Sequence, residues 1–419
     1  MNLENKNILL GVTGGIAAYK SVELLRLFKK AGANVTIVLT QSALQFVGKT
    51  SFEVLSENPV LTDLYFDTAS QVKHIDIANG ADAVVIAPAT ANVVGKLAHG
   101  IADDALTTTL LAVTCPVMIC PSMNTDMYQN IRVQRNLDIL EQDGWVILDP
   151  DSGALACKTI GAGRLPEPWF IFDRVEAMLT KKDLMGKKVL ISAGPTVEAI
   201  DPVRYVSNHS SGKMGFAIAA AAEKRGAQVT LVAGPVHLQT PVNVNRIDVI
   251  SCDDMADAMM DNLLQADIII KVAAVADYKP ADPKLSKIKK KEDGAELCLL
   301  LTQNPDILKY IGEKKSKDQF LVGFAAETHD LEKYATRKMA KKNLDMIVAN
   351  IVGKKESGFS ADTNKVTLFF KNGSSQDIPL MTKEKVAHII FDHIIEHISD
   401  QGIKLNIDTN IDPNMNQAG

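Results

Sequence analysis

The chain contains no CxxC pair, no apolar run long enough to span a bilayer and no excess of positive charge. Its five cysteines, at 115, 120, 157, 252 and 298, are odd in number and scattered, which excludes a disulfide framework and a cysteine-rich zinc site. A spanning helix needs roughly 18 apolar residues, and the opening MNLENKNILL lacks the basic and apolar regions of a secretion signal. The formal net charge of −5 gives no global attraction to nucleic acid or anionic membrane. Two common nucleotide fingerprints are also missing, since GVTGGIAAYK is not GxGxxG and SSGKMG lacks Walker A spacing. The expectation is a cytoplasmic protein whose partners are small molecules, not nucleic acid or membrane.

What is present is a soluble globular composition, 46% hydrophobic and 23% charged over 419 residues, enough for two or three domains. NILLGV, the helical IAAYKSVELLRLFKKAG and NVTIVLT read as strand, helix, strand, and the alternation continues through ADAVVIAPAT, PVMICPSM and WVILDP. Near-continuous apolar strands between helices predict a parallel sheet covered on both faces. The logic restarts at KKVLISAGPT, and KAGANVTIVLT (30–40) has a counterpart in KRGAQVTLVAG (224–234). We therefore expect two tandem doubly wound, Rossmann-like α/β domains, 1–182 and 183–403, followed by a disordered tail, 404–419. KPADPKLSKIKKKEDG reads as an exposed lysine-rich loop, NKVTLFFKNGSSQDIPL as a hairpin around NG, and the last helix as running through Ile398.

In the first module, GVTGGIAAYK places glycines between a strand and a helix N-terminus, where backbone amides and the helix dipole hold phosphate. The second strand ends in Thr40 and not in the acidic residue that grips a dinucleotide's ribose, so the pattern favours a mononucleotide such as FMN over NAD. A tight structural turn is the other reading of the same glycines. APATAN (87–92) and PSMNTDM (121–127) each follow an apolar strand at the sheet edge where ligands bind. His74 precedes the strand ADAVVIAP, and Cys157 sits in LACKTIGAGRLPEP, a segment that reads as neither helix nor strand.

GVTGGIAAYK, VKHIDIA, APATANVVGKLAHGIADDALTT, PSMNTDM and LACKTIGAGRLPEP, in this order, resemble the FMN-dependent phosphopantothenoylcysteine decarboxylases across nearly all of residues 1–180. The resemblance implies a flavodoxin-like flavoprotein domain. It implies that FMN lies against Thr13, Gly14, Gly15, Thr40, Thr90, Ala91, Asn92 and Ser122. Loss of CO2 from a cysteine carboxylate leaves an unstabilised carbanion, so a redox cofactor must first withdraw two electrons from the thiol-bearing carbon. By resemblance His74 is the base, Asn124 holds the carboxylate, and Cys157 returns a proton from a flap that closes over the substrate. A thiol near its reference pKa of about 8.5 remains protonated at neutral pH and needs no tuning for that task. Gly161 and Gly163 would permit the flap to move.

In the second module, AGPT, DPVRYVSNHSSGKMG, AAVADY, KIKK, NPDI, GFAAET and KKNLD resemble phosphopantothenate–cysteine ligase, fused behind the decarboxylase in the bifunctional bacterial proteins. The resemblance implies coupling of 4′-phosphopantothenate to cysteine through an acyl-cytidylate, with CTP as co-substrate and Mg2+ on ligands it does not assign. Asn208 would hold the intermediate and Arg204 the acid, while Asp277, Asn304, Pro305, Asp306, Ile307, Phe324, Lys338 and Lys342 would form the CTP site. Lys287 would neutralise phosphate charge as cysteine attacks. Trimer-based dodecamers of the flavin module and dimers of the ligase are implied likewise. The other readings are a flavoprotein acting on another peptidyl-cysteine or a prenyl substrate with an inactive second module, and a nucleotide-binding scaffold. HIIEH (393–397) matches an inverted zincin pattern, but the apolar spacing around it already explains a packed helix.

Overall fold

The computed structural model describes residues 3–64, 73–154, 160–289, 297–327, 331–351 and 361–400. The chain separates into two compact units, Met1–Thr180 and Lys181–Gly419. Cys157 and Lys158, part of the lysine-rich loop, and the tail lie outside the described residues.

In the first unit, β1 (Asn7–Val12), β2 (Asn34–Leu39), β3 (Val60–Leu61), β4 (Ala83–Ala89), β5 (Val117–Pro121) and β6 (Val146–Ile147) form one sheet in the order β3-β2-β1-β4-β5-β6. All five pairings are parallel. Side chains alternate between two cores, Leu10, Val12 and Val85 packing with Phe28 and Phe172 on one face, and Leu9, Val84 and Ile86 with Leu106 and Leu137 on the other. Burial on both faces is why these strands read as unbroken apolar runs. The doubly wound Rossmann-like class is as expected, and the strand order places β2 and then β3 outward of β1 on one side and β4, β5 and β6 on the other. The helix Pro168–Leu179 begins with proline at its first turn, where the missing N–H costs nothing.

A hairpin, β7 (Asp151–Ala154) and β8 (Ile160–Arg164), follows the sheet. The glycine-rich 160–164 segment is thus a strand, contrary to its composition, because β7 pairs with one edge of it and residues 121–125 approach its backbone closely.

The second unit contains β9 (Lys188–Ala193), β10 (Val197–Ala199), β11 (Tyr205–Ser207), β12 (Gln228–Ala233), β13 (Asn245–Asp248), β14 (Ile268–Lys271), β15 (Tyr278–Pro280), β16 (Leu301–Gln303), β17 (Phe320–Glu327), β18 (Met346–Ile351), β19 (Thr363–Phe370) and β20 (Ser375–Thr382). Its main sheet runs β13-β12-β9-β14-β17-β18-β19-β20. The first six strands are parallel and repeat the order of the first unit, and the β19–β20 hairpin, with Gly373 at φ +86°, adds two antiparallel strands. Two short ribbons, β10–β11 and β15–β16, lie outside the main sheet. Arg225 closes this unit: nearly buried, it donates to Asp183 through Nε and Nη2, each at 2.7 Å, and through Nη1 to Asp392 at 2.7 Å and to the His388 carbonyl at 2.9 Å. The final helix, Lys383–Asp400, packs His393 and His397 against Phe370, with His393 Nδ1 2.9 Å from Glu396, so HIIEH is a packed helix face.

Candidate active sites

In each unit the strand order reverses between the first strand and its fourth-placed neighbour, which leaves a crevice outside their carboxyl ends. In the first unit Thr13 closes the floor of that crevice. It is fully buried, donates to the Pro88 carbonyl at 2.8 Å and accepts from the Thr90 amide at 3.0 Å. With its proton committed, the Thr13 hydroxyl ties the end of β1 to the end of β4. Gly14 is required by space, since a Cβ there would stand 2.4 Å from the Ser42 Cβ. Thr40 is nearly buried and its Oγ1 accepts from the Ala43 amide at 3.3 Å, so its hydroxyl oxygen shapes the turn that carries Ser42.

Two helix N-termini open on this edge. Gly15 precedes the short 3-10 turn leading into the helix Tyr19–Lys30. Thr90 caps the helix Ala91–Ala98 without a side-chain hydrogen bond, so that helix supplies first-turn amides without an internal acceptor, with half-buried Ala91 and exposed Asn92 at its start.

One strand over, the Ser122 amide donates to the Ala89 carbonyl at 3.0 Å. Asn124 caps the helix Thr125–Tyr128, its Oδ1 accepting from the Asp126 amide at 2.8 Å. That bond commits the carbonyl end of the side chain to the helix and turns the amide nitrogen away from it. The hairpin is fastened to the same segment: the Met123 amide donates to the Gly163 carbonyl at 3.0 Å, and a Cβ on Gly163 would lie 2.1 Å from the Met123 carbonyl oxygen. A Cβ on Gly161 would lie 2.6 Å from Thr125 Oγ1. Both glycines are therefore needed for close contact, a role their composition alone did not reveal. His74 lies half-buried in the first turn of the helix Lys73–Gly80. Among the described residues no hydrogen bond or ion pair joins it to Thr13, Thr90 or Asn124.

The second unit has a cleft of about 460 Å³ at its switch point, lined by Asn208, Asp277, Asn304, Pro305, Asp306, Ile307, Phe324, Lys338 and Lys342, nine of the residues singled out from the sequence. Asn208 reaches across the sheet edge, Nδ2 to the Ala274 carbonyl at 2.9 Å. Asn304 donates to the Ala276 carbonyl at 2.8 Å while its Oδ1 is buried without a partner, an acceptor awaiting a donor. Asp306 caps the helix Ile307–Lys314 and pairs with Lys342 at 2.9 Å. Burial opposes its ionisation, and the hydrogen bonds from Lys342 and the Lys309 amide outweigh that, leaving the carboxyl below its ordinary value.

Arg204 and Lys287 do not line the cleft. Arg204 pairs with Asp201, whose side chain is fully buried, and donates through Nη2 to the Ile288 carbonyl at 2.9 Å. Asp201 also accepts from the Ile288 amide at 3.0 Å. The pair thus ties down the segment that carries exposed Lys287. Arg204 holds Asp201 well below the usual carboxylate range despite burial.

Sequence reasoning missed two lysines of the lining, Lys271 and Lys383, whereas Lys213, in SSGKMG, already suggested anion binding. The signal for Lys271 was legible: a cation ends the buried run ADIIIK. Among the described residues no group of three or more His, Cys, Asp or Glu side chains is placed to hold a metal ion, and no helix is long and apolar enough to cross a membrane.

Comparison with known proteins agrees with this division. The Flavoprotein family matches residues 1–180, and the family described as DNA/pantothenate metabolism flavoprotein C-terminal domain matches 184–398. The coenzyme A biosynthesis bifunctional protein CoaBC of Bacillus subtilis (strain 168) is 50% identical over 397 residues, 94% of this chain and 97% of that protein. Among solved structures, the C-terminal domain of a coenzyme A biosynthesis bifunctional protein CoaBC is 43% identical, covering 52% of this chain and 100% of its own, with a TM-score of 0.45. The FMN-dependent cysteine decarboxylase SpaF is 33% identical, covering 38% of this chain and 91% of its own, with a TM-score of 0.36. The chain belongs to the family of coenzyme A biosynthesis bifunctional CoaBC proteins.

Proposed function

We propose that the second unit joins 4′-phosphopantothenate to cysteine at the expense of CTP, and that the first unit decarboxylates the product to 4′-phosphopantetheine. The observation that carries this reading is that eight residues expected at a CTP site, together with Asn208, line one cleft in a chain that matches a bifunctional relative over 97% of that relative's length.

The first crevice fits a flavin mononucleotide: a turn with no space for a side chain at Gly14, two helix N-termini for its phosphate, and no acidic residue at the end of β2. FMN supplies the two-electron sink that decarboxylation requires. Around it Asn124, with its oxygen committed as a helix cap, offers amide donors to the substrate carboxylate, and His74 takes a proton as base. Cys157, between the two strands of the hairpin, returns a proton once CO2 has left.

In the second unit Asn208 holds the acyl-cytidylate, the Arg204–Asp201 pair positions the segment of Lys287, and Lys287 neutralises phosphate charge as the nucleotide leaves. Mg2+ enters with the triphosphate. Such ions keep several waters and need few protein carboxylates, and exposed Asp277 at the cleft supplies one. Ligase dimers are supported by the exposed apolar residues of the ribbons, Tyr205, Tyr278 and Leu301, with Leu285 beside them. For the flavin unit, trimer-based dodecamers rest on resemblance alone.

The test is nucleotide choice and colour. Incubation with phosphopantothenate, cysteine and Mg2+ should release CMP from CTP, and the purified protein should absorb at about 450 nm as flavoproteins do. No pyrophosphate from any triphosphate defeats the ligase half, and colourless protein that binds no added FMN defeats the decarboxylase half.

A further inference from the structure

Lys271 is the last residue of β14, and its side chain lies on the same face as Ile269, which is buried among Met255, Ile307 and Leu321. It reaches the lining of the cleft and donates to the Ala273 carbonyl at 2.7 Å. Lys338, from the helix Leu331–Lys341, and Lys342, just beyond that helix, approach the same end of the cleft and act on Lys271 as like charges. Asp306, from the cap of the facing helix, attracts it, as does the Cys252 thiolate form. Cys252 itself neighbours Glu198, Asp253 and Lys279, and burial pushes its thiol up to about 11.

Three ammonium groups, two from the end of one helix and one from β14, outnumber the single carboxylate of Asp306 in a cleft walled by apolar strands and make a good receptor for a polyanion. We propose that Lys271 is a third, half-buried cation of the polyphosphate end of this cleft, and that occupation by a nucleoside triphosphate is coupled to protonation of this side chain. The proposal rests on the nucleotide reading of the cleft and adds a residue and a proton to it.

The direction follows from the surroundings. Burial, reinforced by Lys338 and Lys342, lowers the Lys271 ammonium to about 8 in the empty cleft. A bound polyphosphate stabilises the charged form and raises it again. Binding then takes up a proton at mildly alkaline pH and not near pH 6.5, where the side chain is already charged.

Titration calorimetry of the full chain with Mg2+ and CTP, in buffers of different ionisation enthalpy, tests this. At pH 8.5 the wild type should take up about three-quarters of a proton, and its affinity should weaken by about eightfold from pH 7.5 to 9. Lys271→Arg keeps a permanent charge, so it should bind without uptake and with a flat pH profile. Lys271→Met should bind about tenfold more weakly and also without uptake. Nucleotide binding by wild type without uptake, or undiminished uptake in Lys271→Arg, overturns the proposal. A wild type that binds no nucleoside triphosphate overturns the nucleotide reading itself.

Discussion

Replacing Gly163 by alanine places a methyl group where the Met123 carbonyl oxygen now stands, 2.1 Å from the ideal Cβ position. Gly163 also has φ +144°, a conformation alanine rarely adopts. The backbone strain alone is of order 1–3 kcal/mol. The hydrogen bond from the Met123 amide to the Gly163 carbonyl, at 3.0 Å, contributes about 1 kcal/mol and cannot survive the required shift. Docking of the hairpin on residues 121–125 should therefore weaken by about 2–4 kcal/mol, a factor of roughly 30 to 1,000 in its docked population. The hairpin carries Cys157, so decarboxylation by Gly163→Ala should fall at least tenfold. CTP-dependent ligation in the same molecule should not change, which makes the second unit an internal control for expression and folding. The assay is 4′-phosphopantetheine formed from supplied phosphopantothenoylcysteine, with CMP release measured in parallel. A variant that decarboxylates at the wild-type rate would refute the claim that close packing of β8 positions the hairpin.

Three further outcomes are expected. Cys157→Ser should still release CO2 but accumulate an oxidised enethiol, read by mass spectrometry, and normal 4′-phosphopantetheine formation would remove Cys157 from the mechanism. Arg225→Met leaves the largely buried Asp183 with only the exposed Lys181, at 3.8 Å, as a charged partner, which should cost about 3 kcal/mol, seen as a lower urea midpoint for the ligase unit and little change in flavin fluorescence. Asp201→Asn should loosen the Lys287 segment and raise KM for phosphopantothenate, with FMN content unchanged. Because Arg204 keeps Asp201 below the usual carboxylate range, its stabilisation is complete at neutral pH. It is lost only as pH falls below about 4, where the unfolded carboxyl begins to protonate and then the folded one. Proteolytic protection of that segment should thus be constant from pH 8 to pH 5.

Much of the fold was legible because strands buried on both faces leave a plain mark: VVIAPA and VMICP are apolar throughout, and the helices between them keep a helical period. Strand order left no comparable mark. Whether β3 lies outside β2 depends on a two-residue pairing, Ile37 with Val60 and Val38 with Leu61, which no local pattern encodes. The glycines at 161 and 163 were visible, but their reason was not, since it resides in Met123 and Thr125, nearly forty residues earlier in the chain. The contacts of Arg204 were likewise hidden in sequence, since they lie with Asp201 and with the Ile288 carbonyl, 84 residues further along the chain. Lys271 was the residue most open to detection, a charge inside a run whose other members are buried.

The most direct measurement is the coupled conversion of phosphopantothenate and cysteine to 4′-phosphopantetheine by one protein preparation supplied with CTP, Mg2+ and FMN. The account predicts turnover by the wild type, no phosphopantothenoylcysteine from Asn208→Ala, and accumulation of phosphopantothenoylcysteine by His74→Ala. Absence of 4′-phosphopantetheine from the wild type, or unimpaired turnover by either variant, would contradict it.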